Sequence, residues 1–162
     1  RGPAIRPAVF GGRQAPPHSR KSCQNFAHAA GKSAAEASEF TLGFTPILAP
    51  MSRGILATVS ARMTDKAKTL SDEEIRAVWS KAYEGQDFMV LLPEGTLPAT
   101  GNIIGSNAAH LQVVTDRKAG RIYAFAAIDN LNRGTAGQAV QSLNIALGLP
   151  EDAGLTKIGV AP

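Results

Sequence analysis

Cysteine occurs once in the 162 residues, at Cys23. A single thiol excludes an intrachain disulfide and any cysteine-rich metal site. No apolar run approaches the roughly 20 residues that a membrane-spanning helix needs, so no membrane partner is expected. Aromatic side chains are few and aliphatic content is ordinary. These absences predict a cytoplasmic protein, and the length suffices for one domain with a core of its own. An initiator methionine is also missing, and the chain, which begins at Arg1, is read as a fragment.

Acidic residues are absent from the first 25 positions, which carry five basic ones: Arg1, Arg6, Arg13, Arg20 and Lys21. Of 17 basic residues, 12 therefore lie beyond that segment, against 13 acidic ones, a net of −1 where the whole chain has +4. A basic domain face is the electrostatic footprint of a nucleic-acid binder. Here the excess sits in a tail, so no nucleic-acid partner is expected for the domain. Residues 1–22 are rich in Arg, Pro and Gly and lack periodicity, a composition that cannot bury enough apolar surface to offset chain ordering; a disordered tail is expected. An acid-free, Arg-containing start has the charge of a transit peptide, but its prolines and glycines interrupt the amphipathic helix that such a peptide forms.

What is present reads as an α+β domain over residues 23–162. A short helix is expected over residues 23–37, around Phe26. Phe40, Leu42 and Phe44 alternate with polar neighbours as in a half-buried strand, before Thr45-Pro46 and Ala49-Pro50 break regularity. Ile55 to Val59 reads as a strand and Thr64 to Thr69 as a polar loop. Ser71-x-x-Glu74 is a capping box that opens a helix with Ile75, Val78, Trp79 and Tyr83, closed near Gly85, with Trp79 and Tyr83 facing the core. Phe88 to Leu92 is a short buried strand, and Asn102 to Ile104 begins another. His110 to Thr115 and Arg121 to Ile128 form a hairpin around a charged turn. A helix then carries Ala139, Val140, Leu143, Ala146 and Leu147. The order predicts a mostly antiparallel sheet with helices on one face.

The stretch from Tyr123 to Leu147 carries the strongest chemical signal: strand, glycine loop, helix. Gly134-x-x-Gly137-x-Ala139 looks like a loosened dinucleotide fingerprint. A true one needs a βαβ unit and an acidic residue about 20 positions further on, and the chain offers neither. A tight helix start packed on the sheet and a different ligand contact both stay open. Asp129-Asn130 at the strand end either turns the chain through side-chain bonds or sets the Asn130 amide against a ligand amide. Arg53, between Pro50 and Gly54, is either a solvated arginine or a clamp for a carboxylate or phosphate. Cys23 reads as incidental. His18, His28 and His110 have no ligand spacing, His110 is expected to face solvent or a polar contact, and Glu94 reads as a turn residue. No P-loop, zinc motif or serine elbow is present.

Three strings in order, FTPILAPMSRGILATV (Phe44–Val59), LPEGTLPATGNIIGSNAAHLQV (Leu92–Val113) and AAIDNLNRGTAGQAVQSLNIALGLPE (Ala126–Glu151), resemble the C-terminal part of the N-acetyl-gamma-glutamyl-phosphate reductases. The ending GLTKIGVAP is similar to that of actinobacterial-type members. The resemblance covers about residues 24–162 and departs at Ile47, where many members carry His. It implies an α+β domain like the C-terminal domain of glyceraldehyde-3-phosphate dehydrogenase-like enzymes, and a homo-oligomer in the full-length enzyme. It implies NADPH-dependent reduction of an acyl phosphate, N-acetyl-glutamyl phosphate, to its semialdehyde in arginine biosynthesis. In that family a cysteine thiolate forms a thioester with the acyl group, a hydride reduces it, and a histidine serves as general acid and base. The nucleotide fingerprint and the nucleophile lie upstream of the segment matched here, and Cys23 does not fit the nucleophile's motif. The resemblance thus assigns no catalytic residue and no metal to this chain. It puts Asn130 and Gly134 near the nicotinamide end of NADP, and Arg53 against an anionic group of the substrate. The fragment alone is expected to be inactive. The alternatives are a non-enzymatic α+β interaction or oligomerisation module and an aspartate-semialdehyde dehydrogenase-like fragment; GSNAAH and AGQAVQ disfavour the latter.

The family's histidine motif, HRHTPE, belongs just before Gln24 and is absent. Codons for Ala15-Pro16-Pro17-His18-Ser19-Arg20-Lys21, read one base later, permit that hexapeptide. Residues 1 to about 22 are therefore read as out-of-frame translation, which the nucleotide sequence checks directly.

Overall fold

A computed structural model describes residues 43–160. The chain divides into two compact units, residues 1–50 and residues 51–162. In the first, the described stretch 43–50 has no helix or strand. The expected helix at 23–37, the tail at 1–22, Cys23, His18 and His28 lie outside the described residues, as does most of the strand expected at Phe40–Phe44.

The second unit is built on a four-stranded sheet. Its strands are β1 (Ile55–Arg62), β2 (Met89–Leu91), β3 (Ala109–Asp116) and β4 (Arg121–Ile128), in the order β1-β4-β3-β2. β1, β4 and β3 pair antiparallel along all eight residues, with Ile55 opposite Ile128 and Ala109 opposite Ile128. The expected hairpin is β3–β4. Asp116 Oδ1 accepts from Ala119 N at 2.8 Å, and Gly120 closes the turn at φ +63°, a left-handed conformation that favours glycine. β2 adds to β3 in parallel, Met89 beside Ala109. A parallel neighbour needs a crossover connection, here residues 92–108.

The helices follow local chemistry. α1 (Asp65–Thr69) occupies the stretch expected to be a loop, because Thr64 Oγ1 caps the Ala67 amide at 3.1 Å and closes one turn. α2 (Asp72–Ala82) starts at the expected capping box: Ser71 Oγ accepts from Glu74 N at 3.1 Å, and Ser71 N donates to Glu74 Oε2 at 2.7 Å. Ser71→Ala should lower stability by about 1 kcal/mol in urea titration; an unchanged midpoint would show the box to be idle. α2 buries Ile75 against Met63 and Val113, with Ala67, Leu70, Trp79 and Ile122 packed around them. Val113 and Ile122 share one sheet face, so α1, α2 and the sheet enclose this cluster. Val78 turns outward, and Tyr83 is half-buried at 6.1 Å from the Trp79 ring.

Three further readings are corrected. Asn102 to Ile104 belongs to a 3-10 turn (Thr100–Ile103) rather than a strand. Ile103 is fully buried there, so its apolar side chain reaches the core without strand pairing. In the segment read as a short buried strand, Phe88 to Leu92, the strand is Met89–Leu91; Phe88 ahead of it is buried but Val90 is exposed. His110 is half-buried, its Nδ1 has no hydrogen-bond partner, and burial lowers its pKa, favouring the neutral ring.

The chain ends with a π-helical turn (Asn132–Ala136) running into α3 (Gly137–Ala146). The apolar stripe of α3 is open: Leu143 is 56 % and Leu147 63 % exposed, while Gly137 and Asn144 form the buried side. Asn144 Nδ2 donates to the carbonyls of Glu151 and Ala153 at 3.1 and 3.0 Å, tying the helix to the turn that follows it. The last residues run back along 104–107, with Thr156 O accepting from Asn107 N at 2.8 Å and Val160 N donating to Ile104 O at 2.7 Å.

Candidate functional site

β4 delivers Asp129 and Asn130 to the end of the sheet, where β1 begins. Asp129 is completely buried, and both carboxylate oxygens are occupied. Oδ2 accepts from Arg53 Nη2 at 2.5 Å and from Gly105 N at 2.6 Å. Oδ1 accepts from Leu131 N at 2.8 Å and Asn132 N at 3.1 Å. One carboxylate thus joins three segments: the approach to β1, the loop after the 3-10 turn, and the turn after β4. Burial by itself raises its pKa; the amides of Gly105, Asn132 and Leu131 and the Arg53 guanidinium together outweigh that and hold it below the ordinary range. The carboxylate is therefore charged at neutral pH.

Asn130 is fixed from the other side. Its Oδ1 accepts from Gly54 N at 2.6 Å, and its carbonyl accepts from Thr135 Oγ1 at 2.9 Å. Gly54 sits at φ +113°, and a Cβ there would lie 2.8 Å from Thr100 Cβ, so only glycine brings this amide to Asn130. With the oxygen committed, the Asn130 Nδ2 donor makes no hydrogen bond among the described residues.

Arg53, read as either solvated or clamping, is 30 % exposed and anchored through one nitrogen. Its Nε is buried and lacks a partner. The buried Nε is out of reach of a ligand, so an incoming acceptor would meet the exposed part of the guanidinium, which is held at one corner by Asp129. Gly134 is exposed, 3.8 Å from Asn130 Cβ when given a Cβ of its own, and its amide donates to Asp129 O at 3.0 Å. The structure thus brings Arg53, Asn130 and Gly134 to one end of the sheet. Glu94 stands elsewhere, beside Asp72, Arg76 and Gln112 in a cavity of about 330 Å³. Sequence reasoning missed Gly105 and the hub role of Asp129, although an Asx pair closing a strand was the available signal.

Among the described residues, no group of three or more His, Cys, Asp or Glu is placed to hold a metal ion, and no helix is long and apolar enough to cross a membrane.

The class is an α+β domain built on a mixed four-stranded sheet, with the Asn130 amide and the Arg53 guanidinium at one end of it. Comparison with known families adds that residues 23–130 match the family described as "Semialdehyde dehydrogenase, dimerisation domain", and the chain belongs to that family. The chain is similar to the N-acetyl-gamma-glutamyl-phosphate reductase of Bifidobacterium longum (strain DJO10A), 97 % identical over 145 residues, 90 % of this chain and 40 % of that protein. The protein of the same name from Bifidobacterium animalis subsp. lactis (strain AD011) is 64 % identical over 139 residues, 86 % of this chain and 38 % of its own length. That from Mycobacterium avium (strain 104) is 54 % identical over 134 residues, 83 % and 37 % respectively. The chain spans about 40 % of the length of the curated relatives it matches.

Proposed function

We propose that this chain is the second-domain part of an N-acetyl-gamma-glutamyl-phosphate reductase, which reduces N-acetyl-glutamyl phosphate to the semialdehyde with NADPH in arginine biosynthesis. The observation that carries the reading is 97 % identity over 145 residues to the Bifidobacterium longum protein of that name. The reading extends to a cytoplasmic homo-oligomer, supported by the dimerisation-domain family.

The residues present fit a nicotinamide ligand. A carboxamide oxygen finds a matching donor in Asn130 Nδ2, whose direction is set by the Gly54 amide on Oδ1. When bound, the nicotinamide cofactor supplies the hydride. Asn130 orients its carboxamide, and the exposed Gly134 keeps side-chain bulk away from the approach. Arg53 offers its free N–H groups to an anionic oxygen of the acyl phosphate. No residue here is assigned to nucleophilic or proton-transfer chemistry, and the absence of the HRHTPE motif leaves the general acid and base unassigned.

The test is assay of two proteins for substrate-dependent NADPH oxidation: the 162-residue chain, and the same residues 24–162 joined to the upstream part of the Bifidobacterium longum relative. The joined protein should turn over N-acetyl-glutamyl phosphate and leave aspartyl phosphate untouched, and the 162 residues should show no turnover. Preference for aspartyl phosphate would move the protein to the neighbouring semialdehyde class; turnover by the 162 residues would refute the assignment of missing machinery.

A further inference from the structure

Asn130 and Arg53 face the proposed ligand; the Asn130 amide is held by Gly54 N, but the peptide that carries it and the Arg53 guanidinium both depend on a third residue. Arg53 is joined to the sheet end through Asp129 Oδ2 at 2.5 Å, and no other side-chain bond of its guanidinium is made among the described residues. The peptide that carries Asn130 is bent by the two amides that follow it, those of Leu131 and Asn132, both on Asp129 Oδ1. Gly105, at φ +81°, donates to the same Oδ2 as Arg53 and fixes the loop behind them. Removing this carboxylate would release the arginine and the turn at once.

We infer that Asp129 is the positioning residue of this site: its buried carboxylate sets the geometry in which Asn130 Nδ2 and the free edge of Arg53 meet cofactor and substrate. The inference rests on the proposed nicotinamide contact at Asn130. It goes further in assigning the alignment of two ligand-facing groups to a residue that touches no ligand. A purely structural carboxylate would cost stability equally whether or not Asn130 is present. A positioning carboxylate loses its effect on cofactor binding once Asn130 is gone, because neighbours acting as a unit are not additive.

The experiment uses the joined full-length protein described above, with Asp129→Asn, Asn130→Ala and the double variant. NADPH dissociation constants are read by fluorescence, with kcat, KM and thermal midpoint measured alongside. Asp129→Asn keeps the shape and removes the charge; the dissociation constant should rise by about tenfold to a hundredfold, the penalty of a misplaced contact. In the Asn130→Ala background the same change should have little further effect. Additive losses, or an Asp129→Asn protein that binds NADPH as the parent does, would overturn the inference. If Asp129→Asn does not fold, Asp129→Glu carries the same cycle: it keeps the charge but displaces the turn, and should weaken NADPH binding only while Asn130 is present. A parent protein that neither binds NADPH nor turns over the acyl phosphate would instead defeat the functional reading, a result distinct from a failed coupling.

Discussion

Phe88→Ala should destabilise the domain by about 3–5 kcal/mol, the range for deleting a buried aromatic ring. Phe88 is 2 % exposed, immediately ahead of β2, and its carbonyl accepts from Ala109 N at 2.7 Å where β3 begins. Its ring is also the floor for two cations. The Arg133 guanidinium stands 5.6 Å and the Lys157 ammonium 5.7 Å from its centroid. Arg133 belongs to the turn after Asn130 and continues through Gln141 of α3 to Glu151, while Lys157 pairs with Asp87 at 3.0 Å. Losing the ring therefore leaves a cavity and removes the surface on which the π-helical turn and the C-terminal segment rest. A midpoint drop on the order of 10 °C is expected in thermal unfolding. A shift no larger than that of Ser71→Ala would mean that the site collapses freely and that neither cation depends on the ring.

Gly137→Ala should cost about 2 kcal/mol, against the usual trend for helices. At φ −66° and ψ −35° the backbone is already helical, so alanine alone would stabilise by up to about 1 kcal/mol. Sterics decide otherwise. A Cβ at this position would lie 1.5 Å from Asn107 Oδ1 and 2.7 Å from its Cγ. The Asn107 side chain is buried and its Nδ2 donates to Thr156 O at 3.4 Å, and the added Cβ would also meet the Asn132 backbone carbonyl at 3.0 Å, which no side-chain rotation relieves. Gly134 supplies the control, because a Cβ there meets nothing closer than 3.7 Å. Urea titration of both variants should show a clear loss for Gly137→Ala and little change for Gly134→Ala. Equal midpoints would show that α3 slides over Asn107 without cost.

These two sites mark the boundary of what the sequence disclosed. The capping box was legible because Ser71 and Glu74 satisfy each other's backbone within three residues, and the β3–β4 hairpin because alternation and a charged turn are local signals. α1 was not, since its five residues, four of them polar, carry no period and only the Thr64 cap makes a helix of them. Ile103-Ile104, after Asn102, is too short an apolar run to tell a strand from a buried turn. The parallel β2–β3 pair depends on a crossover that no periodicity announces. At the site, Asn130, Gly134 and Arg53 stood out as residue types with suitable chemistry. What holds them did not, because Arg53 and Asp129 are 76 positions apart and Gly105 a further segment between them. Gly134 and Gly137 look alike in sequence, yet packing of Asn107 makes only the second sterically obligatory.

Asp129 closes loops of 76 and 24 residues with a single carboxylate. Contacts that distant in sequence form only after most of the sheet has assembled, since loop closure must precede the bonds that reward it. The amides of Gly105, Leu131 and Asn132 then become one cooperative unit for solvent exchange, opening together or not at all. The end of the sheet that carries Arg53 and Asn130 is in that sense a proofreading device for folding: a chain that has not joined β1 to β4 presents neither the arginine nor the asparagine in place.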